Sequence, residues 1–134
     1  MPLAKDRNTL RRDGVQFSDP LAADTKIFAG ALVCLDASGN AVPGATSTTL
    51  KARGVAQEQV DNTGGAAGDL SVESRRGVFQ FANSASTDQI TRADIDSDCY
   101  IVDDQTVAKT SATNTRSVAG VIRDVDSNGV WVEI

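Results

Sequence analysis

The chain predicts an all-β fold. The expected form is a single-domain sandwich or jelly-roll-like barrel, built from two similar β units behind an extended N-terminal arm. Three observations predict it. Short apolar segments alternate with Gly, Asn, Asp and Pro punctuation, giving about ten strands. No stretch of about 12 residues carries a 3.6-residue apolar period, so no amphipathic helix is expected. And the second half of the chain repeats the first at a spacing of about 67 residues, which defines the building block. Val33-Cys34-Leu35-Asp36, a turn and Val42 are echoed by Tyr100-Ile101-Val102-Asp103, a turn and Val107. Gly54-Val55-Ala56 and Val60-Asp61-Asn62-Thr63-Gly64 are echoed by Gly120-Val121-Ile122 and Val125-Asp126-Ser127-Asn128-Gly129. Each copy closes on an alternating strand, Leu70-Ser71-Val72-Glu73 or Val130-Trp131-Val132-Glu133.

In chain order, residues 1–13 are polar, lack an apolar stripe and read as the arm; residues 14–134 read as the β domain. Gly14-Val15-Gln16-Phe17 reads as a first short strand. Ser18-Asp19-Pro20 ends it, because Pro fixes its own φ and pushes the preceding residue toward an extended conformation. Ile27-Phe28 precedes Gly30 and the buried-looking run Ala31 to Leu35. Ser38-Gly39-Asn40 is a hairpin signal, since Gly and Asn tolerate positive φ. Pro43-Gly44 opens a Thr/Ser-rich loop, and Ala52 to Gln59 reads as the next strand. Residues 61–68 form a flexible connection. Leu70 and Val72 alternate with Ser71 and Glu73, the period of a strand with one wet face. Arg75-Arg76-Gly77 turns into Val78-Phe79-Gln80-Phe81. Between residues 82 and 98, Ser86 to Thr91 reads either as one capped helical turn or as loop.

A length of 134 residues fits one domain with a real core. Only 4% of residues are aromatic, so that core rests on Val, Ile, Leu and Ala. The formal net charge is −5, which is not the basic balance of a nucleic-acid binder. The charge is uneven. Residues 1–12 carry Lys5, Arg7, Arg11 and Arg12 against Asp6, a net of +3, which leaves −8 on the rest. A basic arm on an acidic body points to an acidic or polar partner surface; a frayed, charged terminus is the alternative. No apolar run approaches the roughly 20 residues of a membrane span, and no apolar signal region opens the chain.

The residues that could carry chemistry are few. There is no histidine, hence no commonest general base and no commonest metal ligand. Asp103-Asp104 are neighbours, which on a strand point to opposite faces; in a turn they are exposed acceptors. Asp124 to Gly129 matches the start of a calcium loop but continues as a strand, so an Asp/Asn-Gly hairpin turn is the reading. Asp94-Ile95-Asp96-Ser97-Asp98 spaces three carboxylates suitably for a cation. It has Cys99 where such a loop needs Gly, and a solvated acidic loop is the default. Gly64 to Gly68 lacks the Lys-Ser/Thr ending of a phosphate loop. Arg75-Arg76 reads as a solvated strand end, with a partner contact as the alternative. Cys34 and Cys99, at nearly matching places in the repeats, read as reduced, small core residues; one disulfide between them is the alternative. Trp131 reads as a core anchor, with an interface anchor as the alternative. The expectation is therefore no enzyme, no cofactor and no metal site.

The order of these segments carries a resemblance. A polar arm precedes Gly-Ala-Leu-Val-Cys-Leu-Asp (30–36). Arg-Gly-Val-Ala (53–56), Gly-Asp-Leu-Ser-Val (68–72) and Arg-Gly-Val-Phe (76–79) follow, then Tyr-Ile-Val-Asp (100–103), Ala-Gly-Val-Ile (119–122) and a terminal Val-Trp-Val-Glu-Ile. Over residues 14–134 this resembles the capsid cement, or head decoration, proteins of tailed bacteriophages. The resemblance rests on order and spacing of short apolar motifs. It implies a structural protein on the outer capsid surface of the virion, made in the host cytoplasm. Its partners would be the major capsid protein and itself, as a dimer or trimer, with no direct nucleic-acid or membrane contact. It implies that the arm, through Lys5, Arg7, Arg11 and Arg12, reaches neighbouring capsid subunits. A receptor- or carbohydrate-binding β module of a phage tail or base plate is the runner-up; scarce aromatics count against it. Neither repeat holds a reactive cluster, so the two copies are expected to pack as halves of one core. The distinctive material then lies in the arm and in loops 44–51 and 82–98.

Overall fold

The computed structural model describes residues 1–134 and is almost wholly β. Unit 1 holds β1 (Gln16–Pro20), β2 (Lys26–Ile27), β3 (Leu32–Leu35), β4 (Ala41–Pro43), β5 (Lys51–Ala56), β6 (Val60–Asp61) and β7 (Ser71–Arg75). Unit 2 holds β8 (Val78–Phe81), β9 (Asp98–Ile101), β10 (Val107–Ala108), β11 (Val118–Asp126) and β12 (Gly129–Glu133). A short 3-10 turn at Ser86–Asp88 lies in the segment read either as a helical turn or as loop, and a second follows at Arg92–Asp94.

The repeat is a repeat of topology. Unit 1 forms an antiparallel five-stranded sheet in the order β1-β7-β5-β3-β4; unit 2 forms one in the order β8-β12-β11-β9-β10. These are the same order, strand for strand. Each sheet curls until its ends touch. Leu21, just past β1, forms a parallel bridge with Ala41 of β4, and Ala82, just past β8, forms one with Thr106 before β10. Strands β2 and β6 pair separately as a small ribbon on unit 1.

The register fixes which residues correspond. Val33 pairs with Gly54 and Cys99 with Gly120; Cys34 pairs with Ala52 and Tyr100 with Val118. A bulge in each unit leaves an extra residue at the same place, Arg53 in β5 and Ala119 in β11. Bulges sharpen strand twist, which helps so small a sheet to curl. The register sharpens one sequence reading and corrects another. Cys99 corresponds to Val33, and Cys34 corresponds to Tyr100. A one-residue slip puts a side chain on the opposite face, so the two cysteines are not counterparts. Both are fully buried and both thiols are free. Trp131 is no core anchor either. Val130 and Val132 turn inward, while Trp131 lies half-buried on the other face and donates its Nε1–H to Asp126 at 3.0 Å.

The two units pack as a sandwich-like single domain, and the core has two parts. Leu21, Ile27, Ala31, Val33, Ala41, Ala56 and Val72 fill unit 1. The larger cluster fills unit 2 with residues such as Ile101, Val107, Ile122 and Val130, and takes in Leu32, Cys34 and Val55 from unit 1. The expectation of two halves around one core therefore holds for this second cluster only. Unit 1 also keeps an interior of its own.

Candidate functional site

The two units meet through one face of unit 1. Leu32, Cys34 and Val55 face the unit 2 core, with Ala52 packed beside them. The loop between β4 and β5 then grips the end of unit 2. Ala45 forms an antiparallel bridge with Asp103, and Thr46 donates its hydroxyl to the Val102 carbonyl at 2.9 Å. The buried Ser117 donates to the Ser47 carbonyl at 2.6 Å and accepts the Leu50 N–H at 3.2 Å. The Leu32 N–H bonds the Asp104 carbonyl at 2.8 Å. Loop 44–51, expected to be free functional material, is thus mostly consumed in joining the units.

The carboxylates serve turns and ion pairs. Asp103 accepts the Gln105 N–H at 2.9 Å within its hairpin. Asp126 accepts the N–H groups of Asn128 at 2.8 Å and Gly129 at 3.1 Å, and with the Trp131 indole these bonds hold its carboxyl below its ordinary range. This is the hairpin turn expected there. The three spaced carboxylates diverge. Asp94 accepts the Thr91 N–H at 2.8 Å, Asp96 pairs with Arg123 at 2.8 Å, and Asp98 lies in β9. No three His, Cys, Asp or Glu side chains converge. Desolvation pushes the Cys34 and Cys99 thiols up to about 12, so neither is a ready nucleophile.

The sequence offered no sign of one tight pairing. Arg53, the bulge residue, donates Nε and Nη2 to the two oxygens of Asp19 at 2.8 and 3.1 Å. Its guanidinium also lies 3.8 Å from the Phe17 ring centroid. The two partners lie 34 residues apart, and only the β1-β7-β5 order brings them together.

One open groove, about 430 Å³, lies where the units join. It is lined by Phe28, Ala29, Gly30, Ala31, Asp104 and Gln105. The Phe28 ring is exposed and carries the Lys26 ammonium 4.8 Å from its centroid.

The arm is the other feature without internal partners. Residues 1–14 are all exposed and form no strand or helix. Leu3 and Leu10 are 74% and 87% exposed, unusual for leucine. Lys5, Arg7, Arg11 and Arg12 all stand in solvent, and the nearest ion pair on the arm is Arg11 to Asp13 at 4.0 Å. These four residues do not converge on a pocket of the body. They lie along a strip of chain that ends where the Val15 carbonyl accepts the Arg76 N–H. No helix is long and apolar enough to cross a membrane. No family model, no curated protein and no solved structure matches the chain.

Proposed function

We propose that the chain is a structural capsid protein of a tailed phage, which decorates the outer surface of the head and cements neighbouring major capsid subunits. The observation that carries this reading is the arm: a basic, leucine-bearing strip with no partner on its own body. Thirteen residues can reach about 43 Å when extended, enough to cross a joint between subunits. An arm that orders on binding loses conformational entropy, but it wraps a large surface. Many weak contacts on a symmetric shell then add up to firm attachment. The acidic body suits the outward side, where net charge keeps decorated particles apart. The duplicated β unit is a rigid base for the arm, and cementing needs area and shape rather than a reactive group.

The test is co-sedimentation of the full chain, and of residues 14–134, with expanded empty heads of its phage. Binding by the full chain that drops at least tenfold without the arm supports the reading. Failure of the full chain to bind contradicts it. Undiminished binding by residues 14–134 removes the arm from the mechanism.

A second reading, the glycan-binding tail module, has one observation in its favour. Phe28 and Asp104 offer a ring face and a carboxylate beside the same groove. A single ring with a cation already over it is a small platform for a sugar. Glycan-array binding abolished by Phe28→Ala would favour this reading over the first.

A further inference from the structure

We propose that the groove where the units join is a socket for an arginine side chain of a partner protein. The proposal does not rest on the capsid reading, and it concerns a surface other than the arm. It follows from a comparison inside the chain. Arg53 is held by two side chains at once. Its Nε and Nη2 fork onto the Asp19 carboxylate, and its guanidinium lies 3.8 Å from the centroid of the Phe17 ring. A guanidinium suits this pairing because it is planar, donates along its edge and stacks by its face. The groove offers the same two side-chain types, Phe28 and Asp104. None of the chain's own cations pairs with Asp104.

Asp104 stands apart from the other sheltered carboxylates. Those that are buried or half-buried are Asp19, Asp36, Asp88, Asp94 and Asp104. Asp19 holds Arg53, Asp36 accepts the N–H groups of Ser38 and Asn40, Asp88 holds Arg116, and Asp94 holds Lys109. The Asp104 carboxylate has no such partner, although it is half-buried at the groove. Partly desolvating a carboxylate without a partner costs free energy, which a bound cation offsets. The walls are already in shape. Gly30 N–H bonds the Ala56 carbonyl at 2.9 Å, Ala31 N–H the Phe28 carbonyl at 3.2 Å, and Leu32 N–H the Asp104 carbonyl at 2.8 Å. A preformed site loses little freedom on binding. At the rim, the exposed Gln105 carboxamide adds a further acceptor.

The occupant is a partner's arginine for three reasons. First, the acidic body and its unanswered carboxylate call for a cation, the complement in charge. A sugar would leave that charge unanswered. Second, arginine suits the groove better than lysine, whose ammonium is a point charge without a planar fork. Lys26 shows the limit. Its ammonium lies 4.8 Å from the Phe28 centroid, yet it forms no ion pair with Asp104. It competes with an incoming cation for the ring without satisfying the carboxylate. Third, the chain's own arm leaves the groove free, because Lys5, Arg7, Arg11 and Arg12 all stand in solvent.

Titration of the full, isotope-labelled chain with the capped peptide Gly-Arg-Gly, followed by amide NMR shifts, tests this. The expected result is saturable shifts at Ala29, Gly30 and Gln105 in the millimolar range. Asp104→Asn should weaken binding roughly tenfold, the scale of a hydrogen bond to a charged group. Its side chain bonds nothing in the chain, so the fold survives the substitution. Phe28→Ala should weaken binding roughly threefold, the scale of an exposed cation–π contact. Lys26→Ala should strengthen it. Asp98→Asn removes the same charge elsewhere on the surface and should change nothing. The same peptide with citrulline keeps the shape without the charge and should not bind. No shift at the groove, equal binding by the citrulline peptide, or unchanged binding by Asp104→Asn overturns the proposal. So do saturable groove shifts with glucose, which would make the groove a sugar site. Arm amides that move on Asp104→Asn also overturn it, because the occupant is then the chain's own arm.

Discussion

Gly54 and Gly120 hold the same place in the two units, and at each a β-carbon would collide with a neighbouring backbone carbonyl. In unit 1 that carbonyl belongs to Arg75, 2.6 Å from the β-carbon position; in unit 2 it belongs to Glu133. Neither glycine has a positive φ, so close strand approach, not backbone freedom, requires them. Both follow the bulge residue, where the curl of the sheet presses the next strand inward. Gly54→Ala and Gly120→Ala should each cost about 2 kcal/mol, the scale of overpacking in a tight interior. A urea midpoint unchanged by either would show that the strands can separate at no cost.

A second prediction comes from an unsatisfied mismatch between the two interiors. Ser74 occupies the position of Val132, is fully buried, and its hydroxyl has no hydrogen-bond partner. An orphan hydroxyl costs desolvation that a similar apolar shape does not. Ser74→Val should raise stability by about 1 kcal/mol in the same urea measurement. A loss would mean that a buried water completes the hydroxyl.

The Arg53–Asp19 pair should matter more than the exposed ion pairs. Its side chains are only 25% and 11% exposed, and the contact is bidentate. Arg53→Ala strands a nearly buried carboxylate and should cost about 2 kcal/mol. Arg53→Lys keeps the charge but loses the fork and the stacking on Phe17, and about half of that loss is expected. Equal losses would place the effect in the charge alone. By contrast, Arg92→Ala, which breaks a pair with both partners more than half exposed, should change little.

Acid should weaken the fold through identifiable carboxylates. Hydrogen bonds hold Asp61, Asp88, Asp94 and Asp126 below the ordinary Asp value, led by Thr63, Thr110, the Thr91 N–H and Trp131 respectively. A carboxyl with a lower pKa folded than unfolded binds fewer protons in the native state. Its stabilisation is complete above the unfolded value near 3.9 and is lost as pH falls through the folded value. Melting temperature should therefore be flat from pH 7 to about 5 and fall below about 4. Asp126→Asn should flatten the acid limb. A fall beginning above pH 6 would point to other groups.

Thiol labelling checks the core. With thiols raised to about 12 and fully buried, Cys34 and Cys99 should resist iodoacetamide at pH 8 in the native chain and react in urea. Rapid native labelling of either would contradict the packing of the cluster they share.

The repeat and the strand class were legible because apolar alternation and turn residues are local signals. The carboxylate turns at Asp103 and Asp126 were legible for the same reason. What escaped the sequence depends on register or on distant partners. Cys34 and Cys99 align to within a residue in the text, yet one position of register sends them to opposite faces. Trp131 sits in an alternating strand, and alternation alone does not say which face is inside. Arg53 finds Asp19 only after two strand pairings. The left-handed run of Ala112, Thr113 and Asn114 has no glycine to announce it. The arm was legible as charge and polarity. Its basic residues stand in solvent, and the body gives them no partner.

The proposed role is to join capsid subunits from outside through the arm. An electron cryo-microscopy reconstruction of heads carrying the protein tests it most directly. Density for the β body is expected on the outer surface at a joint between capsid subunits, with residues 1–13 ordered across that joint. Heads with no such density, or with the body bound and the arm free of capsid contact, would contradict it.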